Sequence, residues 1–329
     1  MKVKILSEDE IRQSVTLDEQ SIEVVEEGFS RLEDSEVHLP PIMMIEVPEH
    51  RGEVDVKSAH IQGYDSFAVK IASGFFENAE KGLPTGSGMM VLISAETGFP
   101  QAVLLDNAYL TNLRTGAAGA VAASYLAPEE INQAGVIGSG VQARFQIKAL
   151  REVRDFDKLA VYSRNSDNVE KYAREMEEEL KCEIVKAQTP QEIVENSDFV
   201  VTTTPAKEPY LKGEWLHPGL HITAMGSDTE TKQELLPDVF SNSDYTVCDR
   251  KSQCFRLGEL HHGLESGVIT KDDEIVELGK ITSGLKEGRT SPEQTTLCDL
   301  TGVGVQDTVI ASLAYQQALE QGLGLEVEF

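Results

Sequence analysis

Cysteines, basic residues and long apolar runs are all scarce in this chain of 329 residues. The four cysteines, Cys182, Cys248, Cys254 and Cys298, form no CxxC pair, and free thiols in a reducing cytoplasm are therefore expected. The longest weakly polar stretch, 116–128, is too short and too rich in alanine and glycine to span a bilayer. The N-terminus carries no apolar signal-peptide core, which also predicts a cytoplasmic location.

Positive charge is the most marked shortage. Lysine and arginine number 29 against 56 aspartates and glutamates, a formal net charge of −27. A surface this negative repels nucleic acids and anionic membranes, so neither is an expected partner. The acids are spread along the whole chain rather than gathered in a tail, which favours adaptation to a salty cell over a cationic partner.

The length exceeds that of a usual single core, so two domains are expected. The first is predicted as an α+β domain formed by residues 1–125 together with 306–329. The C-terminal part, 306–329, is expected to begin with the last helix. Capping boxes at Ser7-x-x-Glu10 and Thr16-x-x-Glu19 each predict the start of a helix. Short runs separated by turns predict a mainly antiparallel sheet with strands at 53–60, 67–72, 88–94 and 101–105.

The second domain, 126–305, alternates strands with helices, a pattern that predicts a parallel, doubly wound α/β sheet. Helices are expected at 141–154, at 169–180 and from Pro190 onward. Predicted strands cover 134–137, 159–162, 199–203, 221–224 and 245–248.

Residues 133–143 have the pattern of a strand that runs into a GxGxxA turn and then into a helix. Gly138 makes the tight turn, Gly140 lets the backbone approach a pyrophosphate, and the final alanine permits close helix–strand packing. The helix N-terminus, with Val141 and Gln142 in its first turn, presents free N–H groups to the anion. In this context the turn predicts a dinucleotide-binding site.

The end of the next strand selects between the two nicotinamide cofactors. It continues as Ser163, Arg164 and Asn165, where an NAD site would carry an acid for the ribose 2′-hydroxyl. A serine followed by an arginine suits a 2′-phosphate better, which favours NADP over NAD. The alternative is that Arg164 stacks on the adenine or faces solvent, so the cofactor is NADP or NAD.

Later strand ends carry small and hydroxyl residues at the edge where a doubly wound fold binds its ligand. Any one of them alone would be a plain turn, but together they are candidates for lining the cofactor. They are Thr203, Thr204 and Pro205, then Met225, Gly226 and Ser227, and finally Val303.

Three charged residues are candidates for the chemistry. Lys70 lies inside an apolar run, so it is either buried for chemistry or on the solvent face. Because lysines are rarely fully buried in proteins, the solvent face is favoured. Asp228 follows a predicted buried strand at the crevice edge. Arg114 has neighbours so small that a backbone or a ligand must come close to it.

A metal site is not predicted. His261 and His262 adjoin Cys254 and Glu259 on an expected helix, but adjacent histidines point to different helix faces. A polar helix end is the favoured interpretation.

Several segments together resemble the ornithine cyclodeaminase/μ-crystallin family over essentially the full length. That family includes ornithine cyclodeaminases, an archaeal-type alanine dehydrogenase, ketimine and iminosuccinate reductases, and the ectoine-utilisation proteins. The run 50–57 (HRGEVDVK) is most similar to the ectoine-utilisation branch, which also fits the acidic composition. The matching segments are 81–85 (KGLPT), 113–119 (LRTGAAG), 137–143 (IGSGVQA), 226–228 (GSD), 232–235 (KQEL) and 302–307 (GVGVQD).

The resemblance implies a homodimer whose chains each combine a Rossmann-type domain with an α+β domain for substrate binding and dimerisation. It also implies an active site between the domains. Lys70 falls on the family's catalytic lysine and Asp228 on its catalytic acid. Arg114 falls on the arginine near the substrate carboxylate and the cofactor phosphate, and its neighbour Thr115 is counted with the cofactor residues.

One position departs from the family pattern. Members that bind an α-carboxylate often carry a basic residue after Pro-Pro, but here Pro40-Pro41 is followed by Ile42. Carboxylate binding is then expected from Arg51 or Lys57, and ornithine is disfavoured as the substrate.

Three functions follow as hypotheses. The leading one is an NAD(P)-dependent oxidoreductase of a small amino or imino acid, with iminosuccinate and aspartate as the leading pair by resemblance. In it Lys70, its pKa lowered by desolvation, exchanges the nitrogen's proton, while Asp228 orients the ammonium or activates water. The alternatives are a redox-neutral ammonia-lyase of the ornithine cyclodeaminase type and a non-enzymatic NADP-dependent ligand binder. Retention of both Lys70 and Asp228 argues against the binder.

Overall fold

A computed structural model describes residues 2–328, and of Ala79 only the backbone. The chain divides into two compact units, Met1–Arg114 with Val303–Phe329, and Thr115–Gly302. The predicted domain limits, 125 and 305, lie further along the chain. Among the described residues, no helix is both long and apolar enough to cross a membrane.

The secondary structure begins and ends with a strand in the described part of the chain. The strands are β1 Lys2–Ser7, β2 Val37–His38, β3 Met43–Val47, β4 Gly52–Ser58, β5 His60–Ile61, β6 Ser66–Phe75, β7 Gly86–Ser94, β8 Pro100–Leu105, β9 Ile131–Ile137, β10 Phe156–Tyr162, β11 Glu183–Lys186, β12 Phe199–Thr202, β13 His221–Ala224, β14 Tyr245–Cys248, β15 Val276–Glu277, β16 Thr296–Asp299 and β17 Leu325–Glu328. The α-helices are α1 Glu8–Ser14, α2 Glu19–Asp34, α3 Tyr109–Leu126, α4 Val141–Val153, α5 Ser166–Leu180, α6 Pro190–Asn196, α7 Asp238–Ser241, α8 Lys251–Cys254, α9 Gly258–Glu265, α10 Leu278–Thr282 and α11 Gly304–Glu320.

The first unit is built on a sheet in the order β17-β1-β8-β7-β6-β4-β3. Its neighbouring strands run antiparallel except β1 and β8, which are parallel. The predicted mainly antiparallel sheet is therefore confirmed. Its register sets Lys57 of β4 directly opposite Lys70 of β6, with Met90 of β7 on the other side of Lys70.

The two predicted capping boxes have different outcomes. Ser7 caps α1 as expected, because its side chain accepts from the Glu10 amide while Glu10 accepts from the Ser7 amide. The second prediction is wrong in its residue, since α2 is capped by Asp18 in a reciprocal pair with Ser21. Thr16 instead donates to the Asp18 carboxylate at 2.9 Å.

The second unit is built on a parallel sheet with the strand order β11-β10-β9-β12-β13-β16-β14-β15. The first five strands have the 3-2-1-4-5 order of a doubly wound dinucleotide-binding sheet, which confirms the predicted Rossmann-type α/β fold. The strand order reverses between β9 and β12, and ligands bind such sheets at the carboxyl ends of the strands flanking this point. Ile137 ends β9 there, and its carbonyl accepts from the Thr203 amide at 2.9 Å.

Candidate active site and dinucleotide crevice

The glycine turn after β9 has the geometry that a bound pyrophosphate needs. Gly138 has a φ of 122°, and a Cβ there would collide with the Thr203 hydroxyl. Gly140 is the N-cap of α4 with no side-chain cap, and a Cβ built on it would meet no atom within 4 Å. The α4 N-terminus therefore offers N–H groups to open space, an arrangement that binds anions.

A crevice of about 340 Å³ opens at this turn. Its volume is in the range of small-molecule sites. Seven predicted cofactor residues line it: Gly138, Gly140, Ser163, Arg164, Thr203, Thr204 and Pro205. The crevice is also lined by Tyr162, Pro190, Ala206, Glu208 and Tyr210, which sequence reasoning did not single out.

The remaining predicted cofactor residues do not line this crevice. Val141 and Gln142 form the first turn of α4, and Met225, Gly226 and Ser227 follow β13. Asn165 is the N-cap of α5, where its side chain accepts from the Asn168 amide. The Thr115 carbonyl accepts from Gln146, and Val303 is the N-cap of α11.

Glu234 holds together the loops at the carboxyl ends of β12 and β13. Its fully buried carboxylate accepts from the hydroxyls of Thr202 (2.6 Å), Thr204 (2.6 Å) and Tyr210 (2.8 Å). It also accepts from the amides of Thr204 (2.7 Å) and Gly226 (2.9 Å). Burial raises the pKa of Glu234, and the hydrogen bonds from the threonines and Tyr210 oppose that rise. Because Thr204 and Tyr210 line the crevice, this carboxylate sets the position of its wall.

The small residues after Arg114 are explained by packing within the second unit. A Cβ on Gly116 would lie 3.0 Å from the Phe145 carbonyl, and one on Gly119 would collide with the Gln146 side chain. The small residues beside Arg114 indicated that a backbone or a ligand lies close to them, and the structure shows that this is the backbone of α4.

A buried cluster of charges lies in the first unit. Lys70 contacts both oxygens of Asp307, at 3.1 Å to Oδ1 and 3.0 Å to Oδ2. Arg114 Nε lies 3.0 Å from Asp307 Oδ1, and Arg114 also donates to Gln306 at 2.8 Å. Lys70 is 2% exposed, so the solvent-face interpretation of this lysine is wrong. The structure thus brings together Lys70, Arg114 and, opposite Lys70 in the sheet, the buried Lys57.

This environment changes the proton affinities in the cluster. Burial, together with the positive charges of Arg114 and Lys57, lowers the pKa of Lys70 to about 7, and Asp307 opposes that shift. Burial by itself would raise the pKa of Asp307, but Lys70 and Arg114 hold it below its ordinary value. A lysine with this pKa can accept and donate a proton near neutrality.

Two buried polar atoms near the cluster have neither a hydrogen bond nor an ion pair among the described residues. They are Asp106 Oδ1 and Gln306 Nε2. Burial raises the pKa of Asp106 to about 6, and its charge interacts with those of Lys70 and Asp307. Unpartnered buried groups cost roughly 1–3 kcal/mol each, so their presence calls for an explanation, such as a ligand.

Two other predicted residues lie elsewhere. Arg51 is exposed on the tight turn between β3 and β4, with a φ of 47°, and the structure does not bring it to the cluster. Asp228 belongs to the second unit, where it is ion-paired with Lys232 at 2.6 Å and its side chain is 44% exposed. The roles of Arg51 in carboxylate binding and of Asp228 in catalysis both stay predictions.

The histidine pair forms a polar end of α9. His261, His262 and Glu265 bring potential metal ligand atoms within 4.8 Å of one another. His262 Nε2 is, however, 2.8 Å from the Lys232 carbonyl, and His261 Nε2 is 3.5 Å from Glu265. These contacts give both rings a role in packing the helix end, and that no metal is used stays a prediction.

Sequence reasoning missed two residues that organise these sites, Asp307 and Glu234. Both lie in segments that carry the family resemblance, 302–307 and 232–235. The signal available was an acid inside each of the two matched segments, and in 302–307 that acid follows a run of alternating glycine and valine residues and one glutamine. Neither acid could be paired with its partners from spacing, because those partners are up to 237 residues away along the chain.

A glycine turn and an open helix N-terminus at the switch point of a parallel sheet define a Rossmann-type dinucleotide-binding protein. The sequence model of the ornithine cyclodeaminase/mu-crystallin family matches residues 1–322. The chain belongs to that family.

Relatives resemble the chain over its whole length. It is 46% identical over 328 residues to a putative dehydrogenase of Rhizobium meliloti, covering 99% of both chains. The Δ1-pyrroline-2-carboxylate reductase of Thermococcus litoralis, solved with NADH and L-proline, has a TM-score of 0.93 and 34% identity, covering 99% of this chain and 100% of that one. An archaeal alanine dehydrogenase dimer with bound NAD has a TM-score of 0.92 and 34% identity, covering 100% of both chains.

Proposed function

We propose that the protein is an NAD(P)-dependent oxidoreductase that interconverts a small imino acid and the corresponding amino acid. The observation that carries this proposal is Lys70, fully buried yet paired with Asp307 and flanked by Lys57 and Arg114. Iminosuccinate, which gives aspartate, is the substrate we place first. An assignment to the ectoine-utilisation branch rests on the run 50–57 and stays a prediction, as does a cytoplasmic location.

Lys70 acts as the proton-transfer group in this proposal. In the reductive direction its ammonium donates a proton to the imine nitrogen while the carbon receives a hydride, and the lysine is left neutral. The nicotinamide, when bound, supplies or accepts that hydride. Asp228 orients the nitrogen or activates water at the imine carbon.

The cations beside Lys70 suit a carboxylate ligand. Lys57 and Arg114 are both buried, and together with Lys70 these cations outnumber the two carboxyl groups that act on Lys70, Asp307 and Asp106. Buried charge without a partner is costly, so an anionic substrate group would be stabilised beside them. We assign α-carboxylate binding to Lys57 and Arg114 rather than to the exposed Arg51.

The crevice of the second unit fits the dinucleotide. The open space at Gly140 and the unblocked N-terminus of α4 suit its pyrophosphate. Ser163 and Arg164 lie on the crevice wall at the end of β10 and favour NADP over NAD.

A homodimer is proposed from an unusual edge strand. Met43, Met44 and Ile45 of β3 are consecutive and all exposed, so apolar side chains point from both faces of the sheet edge. Exposed apolar edges of this kind mark interaction surfaces.

The test is a screen of NADH and NADPH oxidation at 340 nm. Imino acids are formed from oxaloacetate, pyruvate and other keto acids with ammonia, and Δ1-pyrroline-2-carboxylate is added as a cyclic imine. Stoichiometric loss of absorbance with one of them is expected. Lys70→Met should lower turnover by about 10²- to 10⁴-fold, as for loss of a general acid–base group, while cofactor binding is kept. Sedimentation of the same preparation should give the mass of two chains.

Three results would contradict the proposal. Deamination of a diamino acid without net absorbance change would indicate a redox-neutral cyclodeaminase. Cofactor-dependent ligand binding without turnover would indicate a binding protein. A Lys70→Met variant that keeps more than about a tenth of wild-type turnover would remove Lys70 from the chemistry and make Asp228 the primary candidate.

A further inference from the structure

We propose that Asp307 is the positioning residue of this site: it fixes the Lys70 ammonium against the Arg114 guanidinium and supplies the negative charge that keeps two neighbouring cations buried. The inference rests on the proposed function for its catalytic meaning, but its geometry stands independently.

Asp307 is the point at which three elements of the first unit meet. It lies in the first turn of α11 with its side chain fully buried. Lys70 comes from the middle of β6, and Arg114 comes from α3. Among the described residues, Asp307 provides the one carboxylate in contact with either cation.

The first turn of α11 is clamped onto the sheet, which leaves Asp307 little freedom. Thr308 donates to the Ala59 carbonyl at 2.8 Å and accepts from the Ala68 amide at 3.1 Å. Gly304 lies so close to the Ser58 carbonyl that a side chain there would force the helix away from β4. Asp307 is therefore held between the cations by a hydrogen-bonded helix start.

Charged groups act on Lys70 from β4, α3, α11 and the segment after β8. Lys57 on β4 and Arg114 on α3 disfavour its ammonium form, while Asp307 on α11 favours it. Asp106, after β8, adds a weaker attraction, and the β7 neighbour is the apolar Met90. Because burial already disfavours the ammonium, Asp307 is what keeps the pKa of Lys70 as high as about 7.

Removing the charge of Asp307 should therefore make Lys70 release its proton at lower pH. The experiment is a pH titration of protein labelled with [ε-13C]lysine, followed by NMR without substrate or cofactor. Lys70→Met identifies the resonance by its loss. In Asp307→Asn the Lys70 midpoint is expected to fall by at least about one pH unit relative to wild type.

Thr308→Val is the matched control for a merely structural role. It removes the hydrogen bonds that clamp the same helical turn but leaves every charge in place. It should lower the melting temperature without moving the Lys70 midpoint by more than about 0.3 unit. If Asp307→Asn leaves the midpoint where it is in wild type, or if Thr308→Val moves it equally, Asp307 does not act through Lys70 and the proposal is overturned.

A second variant covers the case in which Asp307→Asn does not fold. According to the proposal, Asp307→Asn would be unstable because it leaves buried cations without a partner. Adding Lys70→Met removes one of these cations, so the double variant should fold where Asp307→Asn alone does not. A double variant no more folded than Asp307→Asn alone would overturn the proposal. Because none of these measurements uses turnover, failure of the proposed reaction leaves the titration result intact. If the proposed reaction and the proposed role of Asp307 both hold, the limb of the pH–rate profile that depends on Lys70 should shift in the same direction as the Lys70 midpoint measured by NMR.

Discussion

Lys57 and Lys70 face each other across two strands of one sheet, a pairing that like charges ordinarily disfavour. Burial of both makes the arrangement costlier, because a buried ammonium loses its hydration. The carboxylate of Asp307 compensates for this cost, and Asp106 adds a weaker attraction to Lys70. A site that holds excess positive charge in this way is arranged for an anionic ligand and for a lysine that titrates near neutrality.

Cofactor choice is also decided by single residues. Ser163→Asp places an acid at the crevice wall, where it can accept a hydrogen bond from the ribose 2′-hydroxyl and repel a 2′-phosphate. Preference, measured as the ratio of kcat/KM values for NADH and NADPH, should move toward NADH by at least about tenfold, the equivalent of 1.4 kcal/mol. Arg164→Ala should weaken the binding of NADPH more than that of NADH.

Ser166→Asp is the control for added charge, because Ser166 is exposed at the start of α5 and does not line the crevice. It should leave the preference unchanged. Strong preference of the wild type for NADH, together with unaltered NADPH kinetics in Arg164→Ala, would refute this assignment of the two residues.

At the scale of elements, the crevice depends on loops that Glu234 ties together. Glu234→Gln keeps the shape of the side chain but turns one acceptor oxygen into a donor that faces other donors. The free energy of unfolding should fall by about 2 kcal/mol or more, the cost of leaving buried hydrogen-bonding groups unpaired. The Kd for the cofactor, measured by quenching or calorimetry, should rise at least about tenfold as the wall at Thr204 and Tyr210 loosens.

Glu208→Gln is the matched change on the exposed rim of the same crevice. It makes the same substitution of acid by amide without breaking the buried hydrogen bonds, so stability should be nearly unaffected. Equal effects of the two variants on stability and cofactor affinity would show that Glu234 has no special part in holding the loops.

Elements differ in how far the sequence predicts them. Strands in the middle of strong apolar runs, such as β6 and β9, were predictable because their pattern dominates the local sequence. Strands β11 and β15 were not predicted, since they are short and contain charged residues. They are strands because neighbouring strands supply hydrogen-bond partners. The N-cap of α2 is Asp18 and not the predicted Thr16, because two polar residues two positions apart compete for one cap.

The charge of the whole molecule is spread over both units. Even helix α5, which has Glu177 and Glu178 exposed in its last turn, carries acids at the end where the helix dipole disfavours them. Such repulsion is strongest when little salt screens it, because the Debye length falls from about 30 Å at 0.01 M to about 3 Å at 1 M.

Salt should therefore stabilise the protein. The melting temperature is expected to rise by at least about 4 °C between dilute buffer and about 1 M sodium chloride. The double substitution Glu177→Gln, Glu178→Gln should raise it mainly in dilute buffer, since it removes repulsion that salt otherwise screens. A melting temperature that is equal at both salt concentrations would count against salt adaptation.

The fold class, the glycine turn after β9 and seven of the residues that line the crevice beside it could be predicted from the sequence alone. Periodicity, the spacing of glycines and the order of strands and helices are local properties, and local properties can be recognised in one dimension. Only the tertiary structure decided that Lys70 is buried, that Asp307 pairs with it and with Arg114, and that Glu234 holds the crevice loops. Those facts depend on which distant segments come together, and the proton affinity of a side chain is set by the burial and charges that this assembly creates.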